Sequence, residues 1–120
     1  MARILVIDDD RQVREMLKKM LERHGYEVLA ARDGNEGLSV YRNSTVDLVI
    51  TDILMPEKEG IQTIMELRQN FPDVKIIAMS GGGAVGPATY LAMAKELGAD
   101  RTLSKPFTMA TLSGMVKELI

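Results

Sequence analysis

The chain contains no cysteine, so it can form neither a disulfide nor a thiolate metal site, and nothing in it requires an oxidising compartment. It has no run of lysines or arginines, and its 15 basic residues are offset by 17 acidic ones for a net charge of −2. That balance argues against a general nucleic-acid surface. No apolar run is longer than a strand, and Met1-Ala2-Arg3 leads straight into the first of them. Neither a signal peptide nor a membrane span is expected, and the chain reads as cytoplasmic. Linkers, repeats and low-complexity stretches are missing too. What remains is 120 residues, 46% apolar and 27% charged. This is ordinary globular composition, long enough for one domain, residues 1–120, with a single substantial core.

The central stretch runs from Val46 to Gly60. Leu48-Val49-Ile50 is a short, β-branched apolar run suited to a strand buried on both faces of a parallel sheet. Asp52 stands where that run ends, before Met55-Pro56 and Gly60. Such a carboxylate points into the crevice where open α/β sheets bind ligands. The plainer reading is an aspartate opening a proline-containing turn. The rest of the chain decides between the two.

Ile4 to Ile7 is the first strand, stopped by Asp8-Asp9-Asp10. Val13, Met16, Leu17, Met20 and Leu21 then form one face of an amphipathic helix, closed by His24 and by Gly25 as a left-handed cap. His24 reads as a last-turn cation. Tyr26 to Ala31 is the second strand, and Asp33 with Glu36 has capping-box spacing for a short helix through about Tyr41. Ile61, Ile64, Met65 and Arg68 mark a helix closed by Phe71-Pro72, and Val74 to Met79 is the fourth strand, ending at Ser80. Pro87 opens a helix to Leu97-Gly98. Ala99 to Leu103 is the fifth strand, followed by Ser104-Lys105-Pro106-Phe107 and a last helix with Leu112, Met115, Val116 and Leu119. The nine methionines fall mostly at core spacing. Five strand–helix alternations predict an α/β domain with a parallel sheet, right-handed crossovers and helices on both faces. In the flavodoxin-like (βα)5 strand order 2-1-3-4-5, the topological switch lies between strands one and three. Asp8-Asp9 and Asp52 end those two strands, so their carboxylates should meet.

Acids converging in one crevice repel each other unless something positive sits among them. A hard divalent cation with oxygen ligands, Mg2+ above all, answers this at neutral pH. Helix capping accounts for one of the three N-terminal acids, most easily Asp10, but not for all. Taken singly, Lys105 would be a solvated lysine and Ser80 a turn residue. Together at the same mouth they supply a fixed cation and a hydroxyl, a set suited to a phosphoryl group. Asp52 would be the nucleophile, forming an acyl phosphate.

From Ile4 to the final helix the chain resembles the receiver domain of two-component response regulators, of the chemotaxis-regulator type. The resemblance lies in four features in order: the acidic pair after strand one, Asp52-x-x-Met55-Pro56-x-x-x-Gly60, Ser80 after strand four, and Lys105-Pro106-Phe107 after strand five. It implies that Asp52 accepts phosphate from a histidine kinase, a phosphotransfer protein or a small phosphodonor, switching a partner-binding surface. Asp9, Asp52 and the backbone carbonyl of Leu54 would ligate Mg2+, with Asp8 reaching it through water. Ser80 and Lys105 would bind the phosphoryl oxygens, and Lys105–Pro106 would be cis. Direct binding to nucleic acid or membrane is not implied. Three residues depart from the family pattern. Thr102 stands where a tyrosine or phenylalanine usually serves as a rotamer switch. The apolar Leu54 lies two residues after the phosphoacceptor, and Gly82 two after Ser80.

Two other classes compete. A Mg2+-dependent phosphatase or phosphotransferase with an aspartyl intermediate would pair its nucleophile with a general acid two residues on, and Leu54 cannot serve. A scaffold that is never phosphorylated would not need the full residue set. The expectation is therefore a signalling module rather than an enzyme acting on a separate substrate. The sequence names neither its pathway nor any output segment beyond Ile120.

Overall fold

The computed structural model describes residues 2–53, 60–80 and 87–120, with residues 87–91 as backbone only. Among the described residues, five strands alternate with five helices. They are β1 (Arg3–Ile7), α1 (Arg11–Arg23), β2 (Glu27–Ala31), α2 (Gly34–Asn43), β3 (Leu48–Asp52), α3 (Gly60–Asn70), β4 (Ile76–Ser80), α4 (Pro87–Leu97), β5 (Arg101–Ser104) and α5 (Met109–Leu119). All pairings are parallel, as the alternation predicts, and the order is the flavodoxin-like β2-β1-β3-β4-β5.

Strand alternation divides the core into two layers. Leu5, Ile7, Val49, Ile76 and Ala78 pack with Leu38 of α2, Ile64 and Leu67 of α3, and Ala94 of α4. Ile4, Val6, Leu48, Ile50, Ile77 and Met79 pack with Leu17 and Leu21 of α1 and with Leu112 and Val116 of α5. Burying each of the valine, leucine, isoleucine and methionine side chains among them contributes about 1.5–3 kcal/mol. The two layers together outweigh any single polar contact.

Local signals set the helix ends. The Asp10 carboxylate accepts from the N–H groups of Gln12 at 2.9 Å and Val13 at 3.4 Å, capping α1 as expected. Gly25, at φ +90°, turns the chain out of that helix, and the ring Nδ1 of His24 lies 3.0 Å from the Met20 carbonyl. Asp33 accepts from Glu36 N–H at 2.8 Å. The return bond of Glu36 goes to the N–H of Arg32, at 3.1 Å, rather than to that of Asp33.

Some expectations need adjusting. β4 begins at Ile76, not Val74, because the Val74 N–H turns back to the Phe71 carbonyl. β5 begins at Arg101, not Ala99, whose N–H bonds the Ala94 carbonyl and closes α4. Among the described methionines, Met79 is fully buried and Met109 and Met115 pack half-buried against the core, whereas Met16, Met65 and Met93 are 45%, 39% and 44% exposed. The apolar stripe of α1 is wider than the strip the sheet covers, so Leu17 and Leu21 are buried while Met16 lies at its margin.

Candidate functional site

The carboxyl ends of β1, β3 and β4 lie side by side, and the loop after β5 closes over them. Asp8 follows β1, and its N–H still bonds the Ala31 carbonyl of β2 at 3.1 Å. The strand geometry therefore extends to it, and the alternation that sends Ile4 and Val6 toward α1 and α5 sends Asp8 the same way. Asp52 stands in the same phase as Leu48 and Ile50, and Lys105 in that of Leu103. The residues on this phase meet. The Lys105 ammonium nitrogen lies 3.2 Å from Asp8 Oδ2 and 3.1 Å from Asp52 Oδ2. The Lys105 N–H donates to the Ser80 carbonyl at 2.9 Å, tying the loop to β4, and Lys105–Pro106 is cis.

The environments of these groups differ. Asp8 is fully buried, Asp52 is 7% exposed, and Asp9 is exposed. Burial pushes the Asp8 carboxyl above its ordinary range, and the neighbouring Asp52 charge adds to this. The Asp10 N–H, 2.9 Å from Asp8 Oδ1, and Lys105 only partly offset it. Burial alone would depress Lys105, but Asp52 and Asp8 together outweigh that and hold the ammonium above the usual lysine range. One carboxylate oxygen from each of Asp8, Asp9 and Asp52 lies within 4.8 Å of the others. Three hard oxygen donors this close can hold a divalent cation such as Mg2+.

Ser80 is fully buried at the end of β4, and among the described residues its Oγ has no hydrogen-bond partner. A buried hydroxyl left unpaired costs about 1–3 kcal/mol. Among the described residues it makes no hydrogen bond to the acids. The structure thus brings Asp8, Asp9, Asp52 and Lys105 into one cluster and sets Ser80 at the same edge. The predicted carbonyl ligand from Leu54, and Gly82, lie outside the described residues. An apolar pocket of about 240 Å3, lined by Val13, Met16, Pro106 and Phe107, adjoins Lys105.

Sequence reasoning missed one contact here. Arg14 of α1 donates to the Asp8 carbonyl at 2.7 Å. The only signal was its place four residues after the capping Asp10, where it reads as a solvated helix position.

A five-stranded parallel sheet in this order, with a bridged acidic cluster at its topological switch, defines a doubly wound α/β protein that handles anionic or metal-bound groups at one crevice. The chain belongs to the response regulator receiver domain family of two-component signalling, whose family model matches residues 4–117. It is 38% identical over 120 residues to the transcriptional regulatory protein CpxR of Klebsiella pneumoniae, covering 100% of this chain and 50% of that protein. It is 36% identical over 119 residues to the response regulator MprA of a Mycobacterium species, covering 99% of this chain and 50% of that one. The chain thus spans about half the length of these curated relatives. A receiver domain protein from Clostridium thermocellum superimposes with a TM-score of 0.92 at 34% identity, covering 100% of this chain and 94% of that one. The response regulator TrrA of Thermotoga maritima, solved in complex with Mg(2+)-BeF, matches with a TM-score of 0.89 at 36% identity over 100% of both chains. No helix among the described residues is long and apolar enough to cross a membrane.

Proposed function

We propose that Asp52 is the phosphoacceptor of this receiver domain, and that residues 1–120 form one phosphorylation-driven unit. The observation that carries the proposal is the Lys105 ammonium held within 3.2 Å of both Asp8 and Asp52, with a buried Ser80 hydroxyl at the same strand-end edge that has no partner among the described residues. An ionised Asp52 has no proton to lose. A carboxylate oxygen of Asp52 attacks phosphorus as the donor's P–N or P–O bond breaks. The electron pair of that bond leaves with the donor group, and a departing imidazole takes a proton from solvent. Lys105 then exchanges its carboxylate contact for a phosphoryl oxygen, and Ser80 donates its hydroxyl to another.

Asp8, Asp9 and Asp52 would hold Mg2+, with Leu54 adding its backbone carbonyl and Asp8 acting through water. When bound, the ion supplies positive charge that offsets the phosphoryl oxygens and the clustered acids. The donor would be a histidine kinase, a phosphotransfer protein or a small phosphodonor. The apolar pocket beside Lys105 offers a protein donor a contact next to the reacting carboxylate. The chain's chemistry would be confined to its own phosphorylation and dephosphorylation, in the cytoplasm, and its downstream partner or output domain is not identified. Acetyl phosphate with Mg2+ should label the chain at one site, and Asp52→Asn should abolish labelling. Undiminished labelling of that variant, or labelling that needs no divalent ion, would rule the assignment out.

A further inference from the structure

The turn between β1 and α1 carries two of the clustered acids, and the bonds that hold it include three at Asp8. The Asp8 N–H bonds the Ala31 carbonyl at 3.1 Å, the Asp10 N–H bonds Asp8 Oδ1 at 2.9 Å, and Arg14 Nη1 bonds the Asp8 carbonyl at 2.7 Å. The third is unusual. Arg14 follows three consecutive aspartates, yet among the described residues its half-buried guanidinium makes no ion pair and is spent on a backbone oxygen.

That oxygen belongs to the peptide group joining Asp8 to Asp9. The group is planar, so fixing its carbonyl fixes the plane from which the Asp9 Cα departs. Asp8 is also anchored through its carboxylate, by Lys105 and the Asp10 N–H. Asp9 is not: it is exposed, and among the described residues its side chain has no hydrogen bond or ion pair. Its place near Asp8 and Asp52 therefore rests on its backbone, and Arg14 holds that backbone.

We propose that Arg14 is a positioning residue for the metal-binding carboxylate of Asp9, acting through the Asp8–Asp9 peptide. The proposal rests on the reading of Asp8, Asp9 and Asp52 as a divalent-cation site. It differs in sign from a purely electrostatic role. Removing a cation beside three carboxylates would by Coulomb attraction alone tighten Mg2+ binding. Removing a positioning bond weakens it, as loss of outer-shell partners of metal ligands does.

Isothermal titration of Mg2+ into the metal-stripped protein separates these, with the melting temperature recorded for each variant. Arg14→Met is expected to raise the Mg2+ Kd about tenfold, and Arg14→Lys, which keeps a charged donor, to recover most of that loss. Asp9→Ala serves as the reference. If Asp9→Ala weakens binding while Arg14→Met leaves Kd unchanged or lowers it, the positioning role is overturned and the metal site stands. If Asp9→Ala leaves Kd unchanged, the metal site itself falls, and the proposal with it. Should Arg14→Met not fold, Arg14→Gln carries the same test, with weakening expected and unchanged or tighter binding overturning the role.

Discussion

At the scale of single residues, Asp8 sets the electrostatic balance of the centre. Its carboxyl is buried, and its partners are the Asp10 N–H and the Lys105 ammonium. These do not cancel the cost of burial, and the pKa is raised above 3.8. A carboxyl whose folded pKa exceeds its unfolded one holds its proton more tightly in the folded chain, so ionised Asp8 lowers stability at neutral pH. This contribution becomes more favourable as pH falls through the folded value toward 3.8. In metal-free solution at pH 7, Asp8→Asn should therefore melt at a higher temperature than the wild type. Its advantage should shrink as pH is lowered through the titration of Asp8. A lower melting point for Asp8→Asn at pH 7 would mean that the Lys105 pair outweighs burial. Lys105 has the opposite dependence: its raised pKa stabilises the fold fully below 10.5 and is lost as pH climbs through the folded value.

Among the elements, the junction of β3 with α3 tolerates least. Gly60 is the first residue of α3, and its N–H bonds the Ile53 carbonyl at 3.2 Å. A Cβ on Gly60 would run into the backbone of Asp52 and Ile53, which cannot step aside as a flexible side chain can. Gly60→Ala must push α3 away from the end of β3, at a cost of about 1–3 kcal/mol. It should also slow acetyl phosphate labelling, because Asp52 belongs to the displaced segment. The same change at Gly114 in α5, where a Cβ meets nothing within 4 Å, is the control and should leave labelling unaltered. Equal melting points for Gly60→Ala and the wild type would refute the close approach. The glycine was legible in the sequence as the end of the motif around Asp52. What it touches was not, since that depends on how α3 returns to the sheet.

For the molecule as a whole, the proposed phosphorylation at the sheet edge has to act on a surface away from it. Thr102, half-buried on β5 opposite Ala78, has no ring to turn inward. The carboxyl end of α4 is pinned: Arg68 donates to the Gly98 carbonyl at 2.7 Å and to Asp100 Oδ2 at 3.1 Å, and Asp100 Oδ2 also accepts the Ile76 N–H at 2.8 Å. Hydrogen exchange with and without beryllium fluoride and Mg2+ should thus change most in the first half of α4, and least around Gly98–Asp100. The reverse distribution would count against this route. The sequence by itself determined the elements, their alternation and the acids, serine and lysine at strand ends, because apolar periodicity and capping act over a few neighbouring residues. The five alternations also required a parallel sheet with right-handed crossovers, while the order 2-1-3-4-5 came with the resemblance to receiver domains. Only the tertiary structure decided which of those ends touch. Lys105 bridges partners 97 and 53 residues away, Asp8 is buried while Asp9 next to it is exposed, and Arg14 leaves solvent for a carbonyl. Such contacts depend on the relative placement of α1, β3 and the loop after β5, which is set by packing against the sheet and has no counterpart in local sequence.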